Sequence, residues 1–185
     1  MIGSSYFTNP LEFLISTLFS LYILAVMLRF LLGAVRADFY NPISQFLVRI
    51  TNPLLVPLRK AIPSIGKFDS AAMILMIVLQ LVSVTLVLLL RKQDISSTIL
   101  VIITLGELVW LMINVFMFAI IIQVIASWIN PGSYNPLTSL LHSLTNPLLR
   151  PIQHLMPAIA GIDLSPLFAL IGLQVLRMLV APLLL

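Results

Sequence analysis

The chain has no cysteine and very few charged residues. None of the 185 residues is cysteine, 9% are charged and 61% are hydrophobic. The absence of cysteine excludes disulfides, thiolate metal sites and cysteine nucleophiles. Soluble domains contain about 25% charged residues. Together with a mean hydropathy of +1.15, this composition excludes a soluble globular protein, a disordered tail and a nucleic-acid-binding module, and it predicts an integral membrane protein.

The sequence also lacks the common catalytic and conduction motifs. It contains no Walker loop, GxGxxG, HExxH or GxSxG pattern, and no pair of acidic residues has the spacing for acid–base catalysis. The two histidines, His142 and His154, have no further ligand set nearby. We therefore expect no enzymatic activity, no cofactor and no metal site. A TVGYG-like filter is absent too, which excludes a classical potassium-channel subunit acting by itself.

Four apolar stretches are long enough to cross a bilayer, which requires about 20 residues. They cover approximately residues 11–35, 70–90, 99–129 and 164–185. The first ten residues have no basic region and no small-residue cleavage site, so we expect a retained span and not a removed signal peptide. The predicted fold class is an all-α membrane protein with four transmembrane helices.

The distribution of basic residues predicts the orientation. The loops after the first and third spans carry six Lys or Arg, whereas the loop between the second and third spans carries two. The positive-inside rule then places the two long loops in the cytoplasm and both termini outside. We expect the basic side chains to meet anionic lipid headgroups at that face. These residues are Arg36, Arg49, Arg59, Lys60, Lys67 and Arg150.

The two halves of the chain are internal repeats. Residues 40–69 and 134–163 align without a gap at an offset of 94, with thirteen of thirty positions identical. We predict one repeat at 1–92 and one at 93–185, each a span, an amphipathic hairpin (about 41–63 and about 135–157) and a second span. Because two spans return the chain to its starting side, the halves should share one orientation, related by a pseudo-twofold axis along the membrane normal.

Asn-Pro pairs predict how each hairpin is built. Asn suits the N-cap position and Pro the first helical position, so Asn41-Pro42 and Asn135-Pro136 should each begin an amphipathic helix. In the first copy Phe46 and Leu47 belong to the apolar side and Ser44 to the polar side. Second pairs are expected to start another short helix in each loop, and an aspartate to cap the following span. These residues are Asn52, Pro53, Asn146 and Pro147 for the pairs, and Asp69 and Asp163 for the caps.

Polar side chains inside the spans need a partner because their insertion is costly. Glu107 and Arg177 lie at similar depths near the outer side, so we expect an ion pair between the third and fourth spans, either structural or part of a conduction or proton site. Arg29 is expected to reach lipid phosphates, or alternatively a carbonyl or amide such as Gln123 on the third span. Remaining amides either join helices by hydrogen bonds or line a permeation path: Gln80, Gln174 and Asn114.

The doubled motif YNP-x(8)-TNPLL-x-PL/I-x(4)-P-x-I-x(3)-D, within a four-span chain, resembles the YggT family of bacterial inner-membrane proteins, called YlmG-like in Gram-positive bacteria, cyanobacteria and plastids. The resemblance covers nearly the whole chain and includes Arg29. The second copy departs from it with Gln123, Asn130 and Gln153, where the first has Arg29, Arg36 and Arg59. The resemblance implies links to osmotic-stress tolerance, potassium uptake, cell division, nucleoid partition or plastid haem-protein assembly.

Two classes of function remain open at this stage. One is a role in osmotic-stress response and potassium homeostasis, in which a polar path at the pseudo-twofold would require an oligomer. The other is a membrane scaffold or assembly factor whose amphipathic segments bind lipids and partner membrane proteins.

Overall fold

The computed structural model describes residues 5–63, 69–129, 135–155 and 163–184, with side chains from residue 8 onward. Every regular element in these ranges is helical. The elements are α1 (Ser5–Ala34), α2 (Pro42–Ala61), α3 (Ser70–Arg91), α4 (Ser97–Ile129), α5 (Pro136–Leu155) and α6 (Ser165–Val180), followed by a short 3₁₀ turn (Ala181–Leu183).

Four of these helices are long and apolar enough to cross a membrane, which confirms the predicted all-helical, four-span architecture. The apolar segments are Thr8–Ala34, Ser70–Arg91, Ser97–Ile129 and Ser165–Leu183, of 27, 22, 33 and 19 residues. Their outer faces present exposed Leu, Ile, Val and Phe side chains, as expected for surfaces that contact acyl chains.

The prediction of a two-helix hairpin in each loop is wrong. Both α2 and α5 are single helices of 20 residues that continue through two internal prolines each. A proline inside a helix costs about 3 kcal/mol because it removes one donor and crowds the preceding turn. In α2 the residues Leu47, Thr51 and Leu55 are buried on one face across the Pro53 position, and this packing opposes the break. Asn52 does not cap a new helix because its side chain accepts a hydrogen bond from α1.

The buried face of α2 differs in part from the predicted one. Leu47 is buried as expected, but Phe46, predicted on the same apolar side, is 60% exposed. Ser44, predicted on the polar side, is buried and donates a hydrogen bond to the carbonyl of Asp38 at 2.9 Å. A helix that contacted only lipid on one side would place apolar side chains alone on that side. In α2 the buried side also contains Ser44 and Thr51, so this side packs against protein.

The largest core cluster holds both halves together. It combines residues of α1, α2 and α3, such as Val26, Leu55 and Ala72, with residues of α4 and α5, such as Ala119 and Leu144. Small side chains at these contacts let helix backbones approach closely, the usual way in which membrane helices associate. A second cluster joins α4, α5 and α6 through Ile113, Ile120, Leu149, Ala169 and Leu173.

Contacts within the two halves correspond, but contacts between the halves do not. α1 packs on α2 and α3, and α4 packs in the same way on α5 and α6. By contrast, α3 packs on α4, whereas in the described part of the chain α6 does not contact α1. These contacts do not establish the pseudo-twofold axis predicted from the sequence.

The two amphipathic helices contact each other through Asn41. Its side-chain oxygen accepts from the amide of Ile43 at 2.9 Å and so caps α2, and its amide nitrogen donates to the carbonyl of Pro136 in α5 at 2.7 Å. Asn135 accepts from the amide of Thr138 at 2.8 Å and is exposed. The equivalent asparagines therefore both bond at the start of their helices, but Asn41 is buried and also joins the two halves.

We expect Asn41→Ala to lower the free energy of unfolding more than Asn135→Ala does. Both changes remove a bond at a helix start, for which about 0.5–2 kcal/mol is typical. Only the first also removes the hydrogen bond to the carbonyl of Pro136, a further cost of about 0.5–1.5 kcal/mol. Thermal unfolding in detergent micelles, followed by circular dichroism, measures the difference. Equal losses in the two variants would contradict a stabilising bond between α2 and α5.

Candidate functional site

A buried arginine fastens α2 to the first span. Arg29 is 6% exposed, and one of its terminal nitrogens donates to the carbonyl of Val48 at 3.3 Å, the hydroxyl of Thr51 at 2.6 Å and the side-chain oxygen of Asn52 at 2.8 Å. All three acceptors belong to α2 and all are uncharged. The guanidinium therefore replaces water by a set of protein dipoles, as a buried cation requires.

This geometry corrects both predictions for Arg29. The side chain does not extend to lipid phosphates, since it is buried among its α2 acceptors. It does not bond to an amide of the third span either, because Gln123 is engaged elsewhere. Both predictions failed because the amphipathic helix α2 covers this part of α1 and supplies the acceptors.

The second half contains the equivalent contact without the charge. Gln123 on α4 is hydrogen-bonded to Thr145 on α5, and these positions correspond to Arg29 and Thr51 at the offset of 94. Both threonines are fully buried, and each donates back to the carbonyl four residues earlier, at 2.6 Å for Thr51 and 2.8 Å for Thr145. We call these two contacts the first and second clamps.

A second pair of contacts connects the amphipathic helices to the spans that follow them. Arg59 near the end of α2 forms an ion pair with Asp69, which caps α3 by accepting from the amide of Ala72 at 3.2 Å. In the second half Gln153 donates to Asp163 at 2.9 Å. Arginine in the first half again corresponds to glutamine in the second.

Asp163 lies just before α6 and differs slightly from a standard N-cap. Leu164 occupies the cap position, and the carboxylate of Asp163 accepts from the amide of Ser165 at 2.8 Å. Burial alone raises the pKa of Asp163, but hydrogen bonds from Ser165 and Gln153 outweigh this effect and hold the pKa below its ordinary value of 3.8. The group is therefore a carboxylate at neutral pH.

The predicted ion pair between Glu107 and Arg177 is not formed. Glu107 on α4 accepts a hydrogen bond from Gln80 on α3, and the guanidinium of Arg177 lies over the ring of Trp110 at 4.3 Å from its centroid. The reason is geometric: Glu107 faces α3, whereas α6 packs on α4 without contacting α3 in the described residues. A cation–π contact with an indole is a known way to hold a guanidinium.

The remaining amides of the spans are not joined into a chain of hydrogen bonds. Gln80 is buried and bound to Glu107. Gln174 and Asn114 are half-buried, and neither has a hydrogen-bond partner within the ranges that the structure describes. The structure therefore does not bring the predicted set together at one place.

An ion pair at the opposite end of the bundle was not predicted. Arg91 at the end of α3 donates to Glu12 near the start of α1 at 3.0 Å. The signal was present in the sequence, because Glu12 is an acidic residue at the edge of the first span and Arg91 follows the second. The contacts of Thr51 and Thr145 were not predicted either, although these threonines are identical in the two repeats.

The predicted lipid-facing cations are exposed where the structure describes them. Arg59 is engaged with Asp69, and Lys67 lies outside the described residues. The exposed residues of this set are Arg36, Arg49, Arg59, Lys60 and Arg150.

A cavity of about 1120 Å³ lies where the end of α4, the polar side of α5 and the start of α6 meet. Apolar residues of α4 and α6 form part of its wall. Among the described residues no group of three His, Asp or Glu side chains could hold a metal ion. The polar lining includes Gln123, His142, Ser143, Asn146, Gln153 and Asp163.

The fold and these contacts define a class: a helical membrane protein with four spans and two amphipathic helices, each fastened to the spans before and after it. The family model for CCB3/YggT matches the chain twice, at residues 8–90 and 102–184. The starts and the ends of the two matches both differ by 94, the offset of the sequence repeat. The chain belongs to the CCB3/YggT family.

Several bacterial proteins are similar over most of their length. An uncharacterized protein of Pseudomonas aeruginosa is 48% identical over 170 residues, covering 91% of this chain and 86% of the relative. An uncharacterized protein of Vibrio alginolyticus is 42% identical over 168 residues, 90% of each chain. The uncharacterized protein YggT of Escherichia coli K12 is 37% identical over 177 residues, 94% of this chain and 90% of the relative. No solved structure matches the chain.

We expect Arg29→Met to lower the free energy of unfolding by at least about 2 kcal/mol, because it leaves buried acceptors of α2 unsatisfied. Arg29→Gln should recover part of this loss by restoring one contact to Thr51. The matched control is Gln123→Met in the second clamp, with an expected loss of about 1 kcal/mol. Denaturation in mixed micelles measures all three variants. A loss for Arg29→Met no larger than for Gln123→Met would refute the first clamp.

The lowered pKa of Asp163 predicts a specific pH dependence. Because the folded-state pKa lies below the unfolded-state value, the stabilisation is complete above the unfolded value and is lost as the pH falls through the folded one. Lowering the pH from about 6 to about 3 should therefore reduce the melting temperature of the wild type more than that of Asp163→Asn. Identical pH profiles would show that the hydrogen bonds from Ser165 and Gln153 contribute nothing.

Proposed function

We propose that this protein acts in the bacterial inner membrane, supports osmotic-stress tolerance and potassium homeostasis, and does so through lipids and partner membrane proteins, without enzymatic activity and without forming a pore by itself. The role in osmotic-stress tolerance and potassium homeostasis rests on the likeness to the YggT family. One observation carries the statement that the protein forms no pore by itself: the ionisable side chains of the spans bind groups of the helix bundle. Arg29 is held by α2, Glu107 by Gln80, and Arg177 by Trp110. Groups used in this way stabilise helix packing and do not line a conduction path.

The proposal includes an orientation. Because α2 and α5 contact each other, both belong at one face of the membrane, and the excess of basic residues in their loops favours the cytoplasmic face. Repeats at 1–92 and 93–185 with the same orientation agree with this arrangement and with the two family matches. Arg36, Arg49, Lys60 and Arg150 would then meet anionic headgroups.

A scaffold or assembly factor for cell division, nucleoid partition or haem-protein biogenesis is the second candidate. It is favoured by the exposed side chains of α2, which include both basic Arg49 and Lys60 and apolar Phe46 and Leu54. Such a mixed surface suits binding to a membrane protein at the interface as well as to lipid.

The test combines reconstituted protein with cells. Purified protein in liposomes should give rubidium flux no higher than that of empty vesicles. Cells lacking the gene should grow more slowly at high osmolarity and take up less potassium, and the wild-type gene should restore both. Glu107→Gln, which retains a hydrogen-bonding side chain, should restore growth equally well.

Flux above that of empty vesicles, abolished by Glu107→Gln, would replace this proposal by a conducting function. Normal growth and potassium uptake in the deletion strain, with a defect in division or nucleoid partition, would favour the scaffold.

A further inference from the structure

Within the part of the chain that the structure describes, Asp163 is a carboxylate without a cationic partner. Its described contacts are with Gln153 and Ser165, both neutral, and it forms no ion pair among the residues that the structure describes. The equivalent Asp69 is neutralised by Arg59. The second half therefore presents an uncompensated negative charge at a position where the first half has a salt bridge.

The same half lacks two guanidinium groups that the first half contains. Arg29 and Arg59 correspond to Gln123 and Gln153, which are shorter and uncharged, and both glutamines line the cavity of about 1120 Å³. The segments 130–134 and 156–162 contain no Lys or Arg, and Arg150, one turn before Gln153 on α5, forms no ion pair with Asp163 in the described part of the chain. The cavity and the carboxylate of Asp163 therefore lie together at the place where the first half has the guanidinium of Arg59.

The cavity also has an apolar side that is continuous with the lipid-facing surface. Ile121 on α4 and Leu167 on α6 line it and are 37% and 53% exposed, and both belong to membrane-spanning segments. Trp128, at the end of α4, lines the cavity and is 80% exposed. A ligand that fits this lining carries a cation with N–H donors at one end and hydrocarbon at the other.

We propose that this cavity binds an aminophospholipid. The primary ammonium of the headgroup donates to Asp163, in the place that the Arg59 guanidinium takes at Asp69, and the acyl chains lie along Ile121 and Leu167. The amide groups of Gln123 and Asn146 and the hydroxyl of Ser143 also line the cavity, where the rest of the headgroup would lie. The site does not depend on the role in ion homeostasis proposed above, because it is defined by binding alone.

Trp128 provides a direct probe. The chain has two tryptophans, so in the Trp110→Phe background the fluorescence comes from Trp128 alone. This protein is placed in nanodiscs of phosphatidylcholine with a minor fraction of acyl-brominated phosphatidylethanolamine or acyl-brominated phosphatidylglycerol. We expect stronger quenching by the brominated ethanolamine lipid. Native mass spectrometry of the wild type, with the same two lipids in unbrominated form, should show preferential retention of phosphatidylethanolamine.

Two variants test the chemistry. Asp163→Asn removes the charge while retaining an acceptor, and Gln153→Arg supplies the guanidinium that the first half already has. Each should reduce the preference for the ethanolamine lipid by about tenfold, the effect expected for loss of a charge-assisted hydrogen bond. Asp94→Asn, an exposed position in the loop between α3 and α4, removes the same charge elsewhere and should leave the preference unchanged. Circular dichroism confirms that each variant is folded.

Three results would overturn the proposal. The first is equal quenching and equal retention of the two lipids by the wild type. The second is an unchanged preference in folded Gln153→Arg. The third is displacement of the lipid by free ethanolamine at low concentration, which would identify a soluble ammonium ligand and remove the role of the acyl chains.

Discussion

The structure depends on satisfying polar groups where water is scarce. A helix that lies across the ends of two spans brings its own carbonyls and hydroxyls into the protein interior, and each of these needs a partner. Arg29 meets this requirement for α2 by donating to three acceptors at once, and these acceptors in turn supply the hydrogen bonds that a buried guanidinium needs. The position of α2 and the burial of Arg29 therefore depend on each other.

The second half satisfies the same requirement with uncharged side chains and fewer hydrogen bonds. Gln123 and Thr145 keep the helix-to-span bond, and Gln153 keeps the bond to the carboxylate of Asp163, but neither contact carries a cation. A neutral amide is cheaper to bury than a guanidinium and holds fewer partners. Both copies of the repeat thus contain these connections, but only the first copy contains a cation in them, and the cavity lies in the second copy.

Much of the architecture was predictable because membranes restrict the options. The four spans, the all-helical class and the start of α2 at Asn41 follow from apolar length and from capping chemistry. The continuity of α2 through Pro53 could not be predicted from the sequence. A proline favours a break in a helix, and here only the tertiary packing of Leu47, Thr51 and Leu55 opposes that break. Likewise, the ion pair between Glu107 and Arg177 was predicted from their similar depth in the membrane alone. The sequence gives this depth, but it does not show which side of α4 faces α3 and which faces α6.

The unequal packing of the halves bears on how the chain is assembled during synthesis. The first three helices contact one another, whereas the described part of α6 packs only on α4, α5 and the turn that follows it. We therefore expect the last span to gain its packing partners only once α4 and α5 are in place. The shared core cluster then forms when these two helices meet the first three, so we expect assembly to proceed from the first half to the second.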